Sequence, residues 1–359
     1  MAEWRRTYQR RPMELDVAHR LARAALPLFG LDPRSAVDFV KYRENHVFRV
    51  TESAGSAFAV RLHRPGYRDD DEIRTEVSYL DALASAGLPV PAVRRTTDGA
   101  LFSTVTAEGQ VRSVSVQHWV AGARPFGDID AALSGRHDPP ASAFSEIGAV
   151  LGRVHAAAVR IGEPEGFRRG SWDAEGLAGP RPLWGDPTAL PSLTPVRRAA
   201  VERGVRHVHR RLRALGTDRD IFGVIHADAT PENLLQTAGG FVLIDFDDFG
   251  TGWYVFDLVT AVFHHARNPH YPGFEKAIRA GYGASRPLSD AEIAAWDDFM
   301  LARGLTYLGW AADRPGDPAS EFISETVAPW VADIAAALTS GAPAPWRVSD
   351  LRSPAQENR

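Results

Sequence analysis

The side chains of this chain that could do chemistry together follow two short apolar runs, 221–225 and 241–244. Each run is followed by polar residues: His226, Asp228 and Asn233 after the first, and Asp245, Asp247 and Asp248 after the second. Such runs, bounded by Gly, Pro and Asp, are typical of buried strands, and Gly239-Gly240 predicts a hairpin turn between them. Because a hairpin would bring the two polar sets together, the pattern predicts a site for Mg²⁺ or another hard cation.

The spacing His-x-Asp-x-x-x-x-Asn, with an Asp after the next strand, is typical of phosphoryl transfer. In that chemistry positioned cations and one proton acceptor do most of the catalytic work. Asp228 suits the proton acceptor, and His226 suits a catalytic-loop residue that braces it. The oxygen donors suit metal ligands. Asn233 and Asp245 are the stronger candidates, and Asp247 and Asp248 are the weaker ones. Alternatively, Asp228 and Asn233 only cap a turn, as these residue types often do.

The elements that must hold these residues change character along the chain. Residues 13–29 predict a helix, and residues 36–120 predict antiparallel strands with one inserted helix at 70–86, so 1–120 are expected to form a small α+β lobe. Residues 121–340 predict a larger, mainly helical lobe that includes a loop rich in Gly, Pro and Trp at 161–196. Residues 341–359 lack periodicity and predict a flexible tail.

Composition limits the classes of function. A chain of 359 residues has room for two lobes, and its net charge of −4 gives no reason to expect nucleic acid or an anionic membrane as a partner. No apolar run approaches the length of a membrane span, and the N-terminus lacks the apolar core of a signal peptide. Cysteine is absent, which is compatible with a reducing compartment, so we expect a cytoplasmic protein.

Taken together, the motifs resemble the aminoglycoside phosphotransferase and choline kinase superfamily, in the branch with stress-response kinase A and homoserine-kinase-like proteins. The matching segments follow the family order and lie at 44–50, 61–67, 72–76, 151–155, 226–233 and 244–248. The resemblance implies an α+β, bilobal protein-kinase-like fold with one helix C in the N-lobe and ATP in the cleft. It also implies that Asp228 is the catalytic base and that Asn233 and Asp245 hold Mg²⁺.

Two departures from the family pattern bear on activity. Arg61 replaces the strand lysine that would hold the α- and β-phosphates, and it could pair with Glu76 at the position of the helix-C glutamate. Arg keeps the charge but differs from Lys in bulk and geometry. Only two lysines are present, and Lys41 is the one that could substitute nearby. Ala227 stands where the family has glycine, which removes backbone freedom but no reactive group.

No Gly-rich loop or P-loop motif is present, so other groups must contact the nucleotide. By resemblance, the loop 43–46 should cover the phosphates, with Asn45 as a side-chain contributor; Asn45 could equally be an ordinary turn residue. The segment Gln117, His118 and Trp119 should supply the hinge that meets adenine.

The acceptor should meet Asp228 from the C-lobe side. Aromatic side chains with a polar edge suit ligand walls, although they suit a helical core equally well. The candidates are Trp184, Trp253, Tyr254 and Trp310.

Three functions are compatible with these residues. We expect a phosphotransferase that uses ATP and Mg²⁺ and acts on a hydroxyl of a small molecule, such as an antibiotic, an amino alcohol or a homoserine-like metabolite. A Ser/Thr protein kinase of the stress-response type, with a protein acceptor, is an alternative, and a nucleotide-binding pseudoenzyme is another because of Arg61. The motifs describe the phosphoryl donor and leave the acceptor open.

Overall fold

The computed structural model describes residues 15–348, which divide into two compact units that are discontinuous along the chain. The first unit holds the residues up to Ala123 together with Ile161–Arg169 and Val242–Asp247. The second holds Arg124–Arg160, Gly170–Phe241 and the chain from Asp248 onward. Residues 13 and 14 of the predicted first helix and 349–359 of the predicted tail lie outside the described residues.

A six-stranded antiparallel sheet forms the base of the first unit, in the order β1-β2-β3-β6-β4 with β5 also paired to β6. Its strands are β1 Ala36–Tyr42, β2 His46–Thr51, β3 Ala57–Leu62, β4 Val93–Arg94, β5 Ser103–Ala107 and β6 Gln110–His118. Helix α1, Leu15–Ala25, places Ala18, Leu21, Ala22 and Ala25 in one apolar core with Phe48 and Val60 of the sheet. This helical spacing of apolar residues explains why α1 packs on the sheet.

Helix α2, Asp70–Ser85, begins at a capping box. The Asp69 carboxylate accepts from the Glu72 N–H at 2.8 Å, and the Glu72 carboxylate accepts from the Asp69 N–H at 3.0 Å. These two bonds satisfy backbone donors that a helix start leaves without partners. The helix buries Ile73, Val77 and Leu80, and Glu76 lies on the same buried side with no exposed surface.

The register of β1 contains one extra residue. Phe39 is opposite Phe48, but Lys41 rather than Val40 is opposite the next residue, Val47. Val47 is in turn opposite Arg61 on β3. Residues directly opposite each other in a sheet share a face, so the bulge places Lys41 in the same cross-strand row as Arg61.

The second unit is mainly helical. Its longer helices are α4 Ala141–Ile161, α6 Pro195–Leu215, α7 Tyr254–Phe263, α8 Tyr271–Gly283, α10 Trp296–Ala312 and α12 Ala328–Ser340. Its short helices are α3 Ile129–Leu133, α5 Ala174–Ala178, α9 Asp290–Ala294 and α11 Pro318–Phe322. Helices α4 and α8 approach closely, because a Cβ on Gly148 would lie 2.1 Å from the Ile278 carbonyl oxygen.

The remaining strands of the described residues are short: β7 Arg124–Pro125, β8 Ser171–Trp172, β9 Phe222–Ile225, β10 Leu234–Thr237, β11 Gly240–Leu243 and β12 Gly250–Trp253. The predicted hairpin between the runs 221–225 and 241–244 is wrong. β9 pairs instead with β12, and the turn at Gly239-Gly240 connects β10 to β11. β10 and β12 were not predicted, because neither is a continuous apolar run.

The α+β class, with an antiparallel sheet followed by a mainly helical part, is confirmed. At the C-terminal end of the described chain, Trp346 is buried and Arg347 pairs with Asp297 at 2.8 Å. Among the described residues, no helix is both long and apolar enough to cross a bilayer.

Candidate active site

The predicted site residues fall into two groups, one in each unit. Asp228 is the centre of the group in the second unit. The Asn233 side-chain amide donates to Asp228 Oδ2 and to the Asp228 carbonyl, both at 2.9 Å. Arg303 donates to the other carboxylate oxygen, Oδ1, at 2.8 Å. Each carboxylate oxygen is therefore held from one side, while the side chain keeps 21% of its surface exposed to a reactant.

Arg303, on α10, has no exposed surface. Its guanidinium lies over the Tyr307 and Trp184 rings, 4.5 Å and 4.9 Å from their centroids, and donates to the Tyr307 hydroxyl at 3.1 Å. Burial alone would lower the pKa of Arg303, but Tyr307 and Asp228 outweigh it and raise the pKa. Burial raises the pKa of Tyr307 to about 12. A permanent cation therefore lies against the Asp228 carboxylate.

The backbone before Asp228 is fixed by Asp257 on α7. The fully buried Asp257 carboxylate accepts from the N–H groups of His226 and Ala227 at 2.8 and 2.6 Å, and it lies 2.9 Å from His155 Nε2. Burial would raise the pKa of Asp257, but the hydrogen bond with His155 and the charges nearby outweigh it and lower the pKa. The ionised Asp257 carboxylate thus fixes the backbone of the loop at His226 and Ala227.

Ala227 adopts a left-handed backbone with φ of 67°. That conformation is the one in which glycine is favoured, so the sequence departure at this position carries strain. The next N–H, from Asp228, donates to His226 Nδ1 at 3.2 Å, so the His226 ring is a hydrogen-bond brace within the loop.

Arg61 is the centre of the group in the first unit. Its guanidinium donates to Glu76 at 2.5 Å and to Asp245 at 3.3 Å, and it lies 3.6 Å from Asp247. Burial would lower the pKa of Arg61, but these three carboxylates outweigh it and raise the pKa. Burial would raise the pKa of Glu76, but the charge of Arg61 outweighs burial and the pKa is lowered. Both shifts keep the buried pair ionised.

Asp245 is also bound on its other side. Lys41 Nζ donates to Asp245 Oδ2 at 3.3 Å, while Arg61 contacts Oδ1. Asp245 itself has a φ of 67°, a conformation that non-glycine residues adopt mainly at constrained positions. The Asn45 amide donates to Asp247 at 3.4 Å, and Asn45 Oδ1 accepts from the Arg64 N–H at 3.2 Å.

Each unit carries oxygen donors that suit a hard cation. Asp245 and Asp247 supply carboxylate oxygens, which Mg²⁺ prefers. Asn233 commits its amide nitrogen to Asp228, so its Oδ1 atom is the one suited to a cation. Within residues 15–348, no group of three or more His, Cys, Asp or Glu side chains is arranged as a metal cage.

The predicted hinge lies at the end of β6. Gln117 is buried and opposite Ala59 of β3, and the N–H of His118 donates to Ala92 at 2.8 Å. The N–H of Trp119 donates to Ala57 at 2.9 Å, and Arg49 lies over the Trp119 ring. These bonds fix the backbone of the segment.

The four aromatic residues predicted for the acceptor differ in exposure. Trp184 and Trp310 are partly exposed; Trp184 donates to Asp248 at 3.2 Å, and Arg314 lies over the Trp310 ring. Trp253 and Tyr254 are buried in the core of the second unit, where Trp253 contacts Phe299. Only the first two therefore offer surface to a ligand.

Sequence reasoning missed Arg303 as a functional residue. It is 75 positions from its partner Asp228, on a helix whose pattern predicts only a core face. One signal was available: an arginine in the middle of an apolar helix needs a buried anion.

The chain is similar to known proteins over most of its length. Residues 39–297 match the family model of the phosphotransferase enzyme family. A structure of a microcompartment-associated aminopropanol kinase is 28% identical, covers 89% of this chain and 96% of its own, and superposes with a TM-score of 0.74. A structure of an amicoumacin kinase with AMP-PNP, Ca²⁺ and its ligand is 20% identical, covers 93% and 96%, and has a TM-score of 0.70. An uncharacterized protein of Deinococcus radiodurans is 30% identical, covering 83% of this chain and 82% of its own.

Proposed function

Because this chain belongs to the phosphotransferase enzyme family and is a kinase of small molecules, we propose a reaction for it. The protein transfers the γ-phosphoryl group from Mg·ATP to a hydroxyl, with Asp228 as the base. The family expected from the motifs is confirmed. The observation that carries the proposal is the Asp228 carboxylate, held by Asn233 and Arg303 yet 21% exposed.

Asp228 would orient the acceptor hydroxyl and take its proton as the oxygen attacks the γ-phosphorus. The new P–O bond forms as the bond to the ADP oxygen breaks, and ADP leaves with the electron pair. Arg303 and Asn233 restrict the Asp228 carboxylate to one orientation, which lowers the entropic cost of reaching a reactive geometry. Asp257 holds the backbone of the same loop through two N–H groups.

The residues that would hold the donor are also proposed. Asn233, Asp245 and Asp247 would bind Mg²⁺, which neutralises phosphate charge when it is bound. Arg61, Glu76, Lys41 and Asn45 would shape the phosphate site, and Gln117, His118 and Trp119 would border adenine. Support comes from the ion pairs that join Arg61 to Glu76 and Asp245.

For the acceptor we propose an amino alcohol first, and a homoserine-like metabolite or an antibiotic next. The support is the similarity to an aminopropanol kinase over 89% of the chain. Trp184 and Trp310 are the partly exposed aromatic residues that would border it.

The experiment is an acceptor panel with the purified full chain, ATP and Mg²⁺. 1-Amino-2-propanol, ethanolamine, homoserine and an amino-sugar antibiotic are compared for acceptor-dependent ADP release, and products are identified by mass spectrometry. We expect one class to raise ADP release at least about tenfold above the rate without acceptor. Phosphate that appears on Ser or Thr of added proteins, with no small-molecule product, would instead favour the protein kinase alternative.

A further inference from the structure

We propose that Lys41, on β1, supplies the cation that contacts the nucleotide phosphates, and that Arg61 acts as a buried strut. The inference rests on the proposed function, since it assigns roles within the same nucleotide site. It reverses the expectation that the residue on β3 performs the contact.

Arg61 is already committed to protein carboxylates. Its side chain is only 6% exposed, and its terminal nitrogens contact Glu76, Asp245 and Asp247. Nη1 is held by Glu76, which has no exposed surface, and Nη2 could reach a phosphate only by giving up Asp245 and Asp247. The geometry therefore favours Arg61 as the connection between α2 and the segment 245–247.

Lys41 has the opposite environment. Its side chain is 42% exposed, and Nζ donates a hydrogen bond to Asp245 Oδ2 at 3.3 Å. An exposed ammonium on a flexible stem can exchange a carboxylate for a phosphate at little cost. When a cation and nucleotide bind at Asp245, Lys41 is thus free to move to the phosphate.

The bulge in β1 explains how a residue of that strand reaches this position. With regular pairing, Val40 would be opposite Val47 and would share its face; the extra residue puts Lys41 there instead. Because Val47 is also opposite Arg61, the two cations flank one valine on the same face of the sheet. Bulges re-aim side chains in this way next to binding sites.

The cations around these carboxylates differ in how freely they can move. Arg61 is buried between Glu76 and Asp245, and Arg68 and Arg169 donate to the Asp247 carbonyl oxygen, whereas Lys41 is 42% exposed beside Asp245. With Arg61 bound to its carboxylates, the mobile Lys41 can offset phosphate charge directly, beside the Mg²⁺.

The composition of the chain permits a direct chemical test. Lys41 and Lys276 are the only lysines, and Lys276 lies exposed on α8 in the second unit, so it is an internal control. The probe is an acyl phosphate of ATP. The lysine amine attacks the acyl carbon, the amide C–N bond forms, the C–O bond to the γ-phosphate breaks, ATP leaves with the electron pair, and the proton goes to solvent.

We expect peptide mass spectrometry to find the acyl group on Lys41, with labelling suppressed at least about tenfold by excess Mg·ATP, and only unsuppressed background on Lys276. Equal and unsuppressed labelling of both lysines would overturn the inference. The readout is independent of turnover.

Variants give the second readout. Lys41→Met should raise the Kd for Mg·ATP by about tenfold or more, since a charge-assisted contact is lost, whereas the matched Lys276→Met should leave it unchanged. Arg61→Lys should lower the melting temperature and raise that Kd less than Lys41→Met does. A Lys41→Met chain that binds like the parent, or an Arg61→Lys chain that binds more weakly than Lys41→Met, overturns the assignment. If the parent fails to bind Mg·ATP, the proposed function fails with it.

Discussion

Arg303 donates a hydrogen bond to the carboxylate of Asp228 at 2.8 Å, from a side chain with no exposed surface, across 75 positions of sequence. A buried arginine is stable only beside an anion, and Asp228 is that anion. The pair therefore fixes the orientation of the proposed base.

Replacing Arg303 should weaken catalysis in a way that depends on pH. In Arg303→Met we expect kcat/KM to fall about 10- to 100-fold and its acidic limb to move to higher pH, because a cation beside a carboxylate favours ionisation. Arg303→Lys should be intermediate. Full pH profiles, with the exposed Arg206→Met as control, measure this. Lost activity with an unmoved acidic limb would mean that Arg303 only supports the fold.

Ala227→Gly should stabilise the protein. Ala227 has a φ of 67°, where glycine is unstrained, so we expect a gain of about 1 kcal/mol in the free energy of unfolding. Denaturant unfolding measures it. Its control is the buried neighbour Ala229→Gly, which has no positive φ and should lose stability. Equal losses in both variants would show that Ala227 is not strained.

His63 should make stability fall with acidification. Burial lowers its pKa to about 4, whereas an unfolded histidine titrates near 6.5. The unfolded state therefore binds the proton first: the contribution is complete above about pH 6.5 and declines as pH falls toward 4, by about 3 kcal/mol in total.

His63→Gln removes this proton linkage while keeping a polar group near Ser115, which now lies 2.9 Å from His63 Nε2. Between about pH 4.5 and 6, its stability should depend on pH less steeply than that of the parent, by about 1.4 kcal/mol per pH unit. Urea unfolding at several pH values measures the slopes, with the exposed His270→Gln as control. Parallel slopes in parent and His63→Gln would contradict the buried neutral state.

The sequence was sufficient for residues whose roles depend on local spacing. Asp228 and Asn233 are five positions apart, and their hydrogen bond follows from one loop. The pairing of Arg61 with Glu76 was also expected, since a strand and the next helix carry them. Such contacts need only short-range pattern and the order of elements.

Long-range register was not accessible in the same way. The run 221–225 pairs with Gly250–Trp253. This strand contains two glycines, and its sequence has no apolar run that would predict a strand. The bulge at Val40 depends on the register between β1 and β2, and no residue type in β1 predicts it. Pairing partners are chosen by tertiary packing, which is why strand propensity alone selects the wrong hairpin.

The most direct test of the account compares the parent chain with Asp228→Asn, a change that keeps shape and removes the proton acceptor. With ATP, Mg²⁺ and the acceptor that the panel identifies, product formation followed by ³¹P NMR should fall at least about 10³-fold in kcat, while Mg·ATP still binds. Asp228→Asn should still unfold cooperatively, but at a lower melting temperature than the parent, because buried Arg303 loses its anion. Asp228→Asn that turns over within a few-fold of the parent would contradict the assignment of Asp228 as the catalytic base.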